Sequence, residues 1–241
     1  MAGASWSFDG PSVRPWQIAV TESQILASWT ANAAAWAQAV RNREIESRVR
    51  ATDAAAIAAV VDRKPRTVLD LGCGEGWLSH ALAERGFDVL GVDAIPALIE
   101  QAKTQGKAAF EVASYERIIE SGLGGRRFDV VICNFALFGE DSVPRLLKRI
   151  PDLLAPGGAF IIQTLHPVIA GGDAPYADGW RKGSWAGFSD AFTDPAPWYF
   201  RTLGSWIAML REAGLALAAM QEPVDPKTGK PASVIFVSTA S

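Results

Sequence analysis

Val68-Leu69-Asp70-Leu71-Gly72-Cys73-Gly74-Glu75-Gly76 is the stretch that decides the fold. A short apolar run ends in glycines at alternate positions, which predicts a buried strand turning sharply into a helix start. Leu78, Ala81 and Leu82 then share one helical face, and Gly86 suits the C-terminal stop. Open α/β sheets bind ligands at this place, outside the carboxyl end of a strand. Glycines let a ligand lie against the backbone, and helix N–H groups are expected to be free there for an anion such as a carboxylate.

The same rhythm extends outward from the turn. Phe87 to Val92 reads as a second strand ending at Asp93, and Pro96 suits the first turn of the next helix. Residues 108–112 read as a third strand. Phe128 to Cys133 is a fourth, nearly all apolar, as expected of a parallel strand covered on both faces. Ser142 to Leu154 reads as a helix with Leu146, Leu147, Ile150 and Leu154 inward. Pro156-Gly157-Gly158 turns the chain into a fifth strand, Ala159 to Leu165. Further on, Leu203, Trp206, Ile207 and Leu210 share a helix face, and Leu215 to Gln221 and Val234 to Thr239 read as the last two strands. Upstream, residues 22–40 form an Ala-rich helix with Trp29, Asn32, Trp36 and Val40 on one face. A second helix over about 43–62 ends before Lys64-Pro65. Strands separated by helices predict a doubly wound, mostly parallel sheet. The chain reads as one domain, 1–241, in which 1–62 is an N-terminal arm with cap helices; the first 20 residues have little regular structure.

Composition narrows the function. With 49% hydrophobic and 20% charged residues the chain is globular. A net charge of −3 with dispersed Lys and Arg argues against a nucleic-acid grip. Two cysteines, Cys73 and Cys133, are too few for a disulfide framework. With no secretory leader and no apolar run of about 18 residues, the expected location is the cytoplasm. The nine Trp are uneven: four lie in the first 36 residues, four between Trp180 and Trp206, and only Trp77 between.

Asp93 follows Asp70 by 23 residues, near the offset at which an acid holds both hydroxyls of a ribose. Two cofactor classes fit. A dinucleotide turn needs Gly-x-Gly-x-x-Gly, and counted from Gly72 its last position is the bulky Trp77. A nicotinamide-dependent oxidoreductase is therefore the alternative reading. Val68 to Gly76, Gly91-Val92-Asp93, Phe128 to Asn134 and Leu154-Ala155-Pro156-Gly157-Gly158, in that order, resemble the successive motifs of class I S-adenosylmethionine (SAM) dependent methyltransferases. The likeness is to the small-molecule group that includes ubiquinone-biosynthesis methyltransferases, and it covers about Arg48 to Ser241.

This resemblance implies a seven-stranded Rossmann-like sheet with an antiparallel last strand. It implies SAM as cofactor, S-adenosylhomocysteine as product and a small-molecule acceptor, oxygen before nitrogen. Asp70 would orient the methionine amino group, Gly72, Cys73 and Gly74 would meet the methionyl end through backbone, and Asp93 would hold the ribose. Ala94 and Ile95 would flank the adenine, and Asn134 would meet the amino group. Ser114-Tyr115 stands where the family commonly has Asp-Ala, so Ser114 or the Tyr115 N–H would carry the adenine contact. Arg48 matches an Arg that binds the methionine carboxylate in some relatives; the other reading is a solvated helix face. A non-catalytic SAM-binding protein is the remaining alternative. The pattern places no metal and no membrane span, and it allows a homodimer.

Residues 166–200 interrupt the rhythm with five Gly, four Pro and eight aromatic residues. Such an insertion after strand 5 reads as a substrate lid. Tyr176, Trp180, Trp185, Trp198 and Tyr199, with Trp36 from the first helix, are the candidate acceptor contacts; about half of the lid aromatics are expected only to anchor it. His166 ends the fifth strand where the lid begins and is the candidate base, its alternative being a hydrogen bond that fixes the loop.

Overall fold

The computed structural model describes residues 15–240, with side chains from residue 22. Most of the expected N-terminal arm, residues 1–14 with Trp6, lies outside the described residues. Helix α1 (Pro15–Arg41) is longer than the periodic stretch within it, and a proline occupies its first position, where no N–H is needed. A π-helical turn (Arg48–Thr52) leads into α2 (Asp53–Val61).

Strand β1 (Thr67–Leu71) and helix α3 (Trp77–Ala83) flank the glycine turn. Then follow β2 (Asp88–Asp93), α4 (Pro96–Lys103), β3 (Ala109–Val112), α5 (Tyr115–Ser121), β4 (Phe128–Asn134) and α6 (Ser142–Leu153). Strand β5 (Leu154–Thr164) begins five residues before the expected start, because Pro156-Gly157-Gly158 stays in the strand. A register shift between Phe128 and Val130 absorbs the extra residues, which pair Leu154 with Phe128 but Ala159 with Val130.

Past β5 come the short α7 (Pro167–Ala170) and an antiparallel hairpin of β6 (Gly179–Arg181) and β7 (Trp198–Phe200). Helix α8 (Leu203–Glu212), β8 (Leu215–Gln221), the small hairpin β9 (Val224–Asp225) with β10 (Lys230–Pro231), and β11 (Val234–Ala240) complete the chain. The main sheet has seven strands in the order β3-β2-β1-β4-β5-β11-β8. Strand β11 is antiparallel to both neighbours, β5 and β8, and the rest run parallel.

Alternation along the strands splits the core into two layers. Leu69, Leu71, Val131, Cys133, Phe160 and Phe236 face α5, α6 and α8, where Trp206 packs against Phe236 with ring centroids 6.2 Å apart. Val68, Val130, Ile132 and Ile235 face α2 and α3. Ile207, expected on the buried face of α8, is 40% exposed. The chain passes from β1 to β2 on one side and reaches β4 on the other, so the strand order reverses at the carboxyl end of β1. That is the switch point at which such sheets open a crevice. No described helix is long and apolar enough to cross a membrane.

Candidate active site

A cleft of ≈ 830 Å³ opens at this switch point. The glycine turn forms its floor. Gly72 has φ +72°, and a Cβ there would lie 2.4 Å from that of Ala136. Gly74 has φ +58°, a conformation that L side chains rarely adopt. The turn's first three N–H groups point into the protein. Those of Gly72 and Cys73 donate to Val92 O at 2.8 and 3.0 Å, and that of Gly74 donates to Asp93 Oδ2 at 2.9 Å. These three groups precede α3, and each is spent on joining β1 to β2.

Asp93 stands at the end of β2, lining the cleft. Its second oxygen, Oδ1, accepts from Ile95 N at 2.8 Å, so the carboxylate is held rigidly from both sides. Burial pushes its pKa up, and the hydrogen bonds from the Ile95 and Gly74 N–H groups act against that. Asp70 lies elsewhere. By strand alternation it shares the face of Val68, toward α3, where it is 1% exposed and accepts from Ser79 Oγ at 2.7 Å. Burial raises its pKa to about 7, despite the Ser79 bond. It does not line the cleft.

Arg48, Cys73, Ala94, Ile95, Ser114, Tyr115 and Asn134 also line the cleft, brought together from six different elements or loops. Ser114 caps α5, accepting from Arg117 N at 3.3 Å, while the buried Tyr115 hydroxyl donates to Ala136 O at 2.9 Å. Phe135, next to Asn134, is held at φ +51°, in the left-handed region, an outlier of the kind that concentrates at functional sites.

Arg48 is the most constrained cation here. Its guanidinium lies 4.7 Å from the Trp77 ring centroid and 5.7 Å from that of Trp36. Its Nε donates to Asp53 Oδ1 at 2.9 Å, yet its Nη2 is buried without a partner. Trp77 thus stacks beneath a cation at the position where a dinucleotide turn would need glycine.

The upper wall is aromatic. Trp36 and Trp29 of α1 meet edge to face at 5.0 Å, and Trp29 stacks on Phe138 at 6.3 Å. Trp185 and Phe188 of the segment between β6 and β7 pack on them, with Trp185 5.7 Å from Trp29 and Phe188 6.3 Å from Trp36. Trp36, Trp185 and Trp198 line the cleft, whereas Tyr176, Trp180 and Tyr199 do not. Those three tie residues 166–200 to the rest of the fold. The Tyr176 hydroxyl accepts from Leu203 N at 3.0 Å, Trp180 Nε1 donates to Glu140 Oε2 at 2.9 Å, and the Tyr199 N–H donates to Phe138 O at 2.8 Å.

His166 also lies outside the cleft lining. It is 4% exposed at the start of α7, with Nε2 2.7 Å from Glu222 Oε1, while its neighbour Leu165 lines the cleft. Sequence reading missed Glu75, Trp29, Phe138 and Phe188. For Glu75 the signal was its place inside the glycine turn; for Phe138 the linear sequence carried none.

A model of the methyltransferase domain matches residues 40–219. The chain belongs to the methyltransferase-domain family. Within it, the order of the chain's motifs implies SAM as the cofactor. It is 34% identical over 104 residues to the ubiquinone biosynthesis O-methyltransferase of Azorhizobium caulinodans, covering 42% of this chain and 41% of that one. The chain thus spans under half the length of the curated relatives it matches. A Burkholderia thailandensis 1,6-didemethyltoxoflavin-N1-methyltransferase, solved with 1,6-didemethyltoxoflavin and S-adenosylhomocysteine, shares the fold with TM-score 0.63 and 21% identity, covering 97% of this chain and 93% of that one. A SAM-dependent methyltransferase from Mesorhizobium loti shares it with TM-score 0.57 and 22% identity, covering 76% and 95%.

The methyltransferase's own residues fit that cofactor. Asp93 offers fixed acceptors at a strand end, the glycine turn leaves no side chain in the way, and Arg48 Nη2 is an unsatisfied buried donor suited to a carboxylate.

Proposed function

We propose that this methyltransferase moves a methyl group from SAM to a small aromatic acceptor, at oxygen first and nitrogen next. The observation that carries the reading is the continuity of the cleft. One space runs from Asp93 and the glycine turn to the wall of Trp29, Phe138, Trp185 and Trp198. Polar anchors line one end and flat apolar rings the other, the pattern of a pocket that orients a ring by a few polar groups. The likeness to an O-methyltransferase over 104 residues supports oxygen.

When bound, SAM supplies an activated methyl group with a good leaving group. The protein's part is to hold, orient and exclude water. In this reading Asp93 takes the ribose hydroxyls, Ala94 and Ile95 flank the adenine, and the Tyr115 N–H meets its polar edge, since Ser114 is occupied as a helix cap. The shared wall of α1 and the lid covers the acceptor and keeps water out. No base role is given to His166, because its Nε2 is engaged by Glu222 away from the cleft lining. Positioning alone suffices for an acceptor that arrives ionised, such as an acidic phenol bound as its phenolate, or for an amine whose free lone pair attacks and which then sheds its proton to solvent.

A screen of labelled SAM against phenols, amines and carboxylic acids, with mass identification of the product, tests this. A methylated phenol is expected. Turnover confined to aliphatic carboxylic acids would overturn the acceptor class. Stabilisation by NAD and not by S-adenosylhomocysteine in a thermal-shift assay would overturn the cofactor reading.

A further inference from the structure

We propose that Glu75 binds the ammonium of the cofactor's amino-acid end, opposite Arg48, which binds the carboxylate. The inference rests on the methyl-transfer reading above, and it names a carboxylate that reading does not use.

Among the described residues, four buried polar atoms on cleft-lining residues lack a hydrogen-bond partner: Glu75 Oε1, Asn134 Oδ1, Arg48 Nη2 and Thr52 Oγ1. Buried polar groups are normally satisfied, and each one left open in a native fold asks for a reason. Together they offer two acceptors, one cationic donor and one hydroxyl. A free α-amino acid end is the complement: an ammonium with three N–H donors and a carboxylate beside it.

Glu75 is held in place for such a task. Its other oxygen, Oε2, accepts from Trp36 Nε1 at 2.8 Å, so one oxygen is fixed by α1 and the other is left open. Burial pushes the Glu75 carboxyl up from its ordinary value, while its own backbone N–H, Arg48, the Trp36 bond and the Trp77 N–H act against that. A bound ammonium would offset the same burial cost. The alternatives nearby are spent. Asp70 is sealed against Ser79 and does not line the cleft, and the N–H groups of Gly72, Cys73 and Gly74 bond back to β2 and Asp93. Arg48 Nη2 and Glu75 Oε1 are the open charged groups beside the glycine turn, a donor for the carboxylate and an acceptor for the ammonium.

Calorimetry with two ligands isolates the claim. S-Adenosylhomocysteine carries the amino-acid end; 5′-methylthioadenosine lacks it and keeps the nucleoside. Glu75→Gln keeps the shape and an oxygen for Trp36 while removing the charge. It should weaken S-adenosylhomocysteine binding about 10- to 100-fold, as for lost hydrogen bonds to a charged group, and leave methylthioadenosine within about twofold. Arg48→Lys should show the same split, which keeps the test open if one variant folds poorly. Unchanged S-adenosylhomocysteine affinity in Glu75→Gln would overturn the inference, and so would equal losses for both ligands. If the wild-type protein binds neither ligand, the cofactor reading itself fails.

Discussion

Asn32 grips the peptide of Thr193 from both sides. Its Oδ1 accepts from Thr193 N and its Nδ2 donates to Thr193 O, each at 2.8 Å. Asn32 is 1% exposed on α1, and Thr193 lies in the lid, 161 residues away. The same helix reaches the glycine turn through Trp36 and Glu75, so one helix ties the floor of the cleft to its aromatic wall.

Asn32→Ala should release the lid. Two bonds to Thr193 are lost and its N–H is left open, while Thr193 O keeps the bond from Trp185 Nε1 at 2.9 Å, at a cost of about 1–3 kcal/mol. Trypsin cleavage at the exposed Lys182, within the lid, should then run about tenfold faster than in wild type. An unchanged rate would show that the aromatic contacts hold the lid alone.

Asp93→Ala should lower S-adenosylhomocysteine affinity at least about tenfold by calorimetry, the scale expected for lost hydrogen bonds to a charged group. The substitution removes the expected ribose acceptors and also frees the N–H groups of Gly74 and Ile95. Affinity equal to wild type would sink the assignment of Asp93.

Gly72→Ala should destabilise the fold by about 1–3 kcal/mol, through both a left-handed φ and overpacking against Ala136. In a chain of this size that lowers Tm by roughly 2–4 °C per kcal/mol, which calorimetric melting can read. A Tm within one degree of wild type would mean that the turn relaxes freely.

The buried acids set a pH trend. Asp70 has a folded pKa of about 7 against an ordinary 3.8, so between those values the folded state holds more protons than the unfolded one. Stability contributed by this group is present in acid and is lost as pH rises from about 4 to about 7. Asp70→Asn should therefore gain most, relative to wild type, at pH 8 and least at pH 5 in thermal melts of the ligand-free protein. A gain of equal size at both pH values would contradict the burial argument.

His166→Ala should retain methyl transfer with the pH dependence of its rate unchanged, because His166 faces Glu222 and not the cleft. Loss of an acid limb near neutrality in the rate profile would return a proton-transfer role to His166.

The main-sheet strands were legible to within a residue or two at most of their ends, because a run such as Phe128 to Cys133 has only one environment that suits it. The start of β5 was not, since nothing in Pro156-Gly157-Gly158 says that a neighbouring strand will tolerate a bulge. The glycine turn with Asp93 was legible as a cofactor floor, since only glycine accepts φ values near +60° to +70° cheaply and the acid follows at a fixed offset. The uneven Trp count pointed to a cover, and Trp36, Trp185 and Trp198 do line the cleft.

Side-chain direction belonged to the tertiary structure. Asp70 and Glu75 are five residues apart and chemically alike, yet strand alternation turns Asp70 into the α3 layer while the turn leaves Glu75 in the cleft. Leu165 and His166 are adjacent, and only Leu165 lines the cleft. Trp180 and Trp185 differ by five lid residues, and one bonds Glu140 while the other packs on Trp29. The sequence by itself determined that a strand, a glycine turn and an acid would build one edge of the cleft, because local sterics and period-2 burial act within a few residues. Which acid, which histidine and which tryptophans face the ligand was decided by long-range packing, whose contacts join residues as far apart as Asn32 and Thr193.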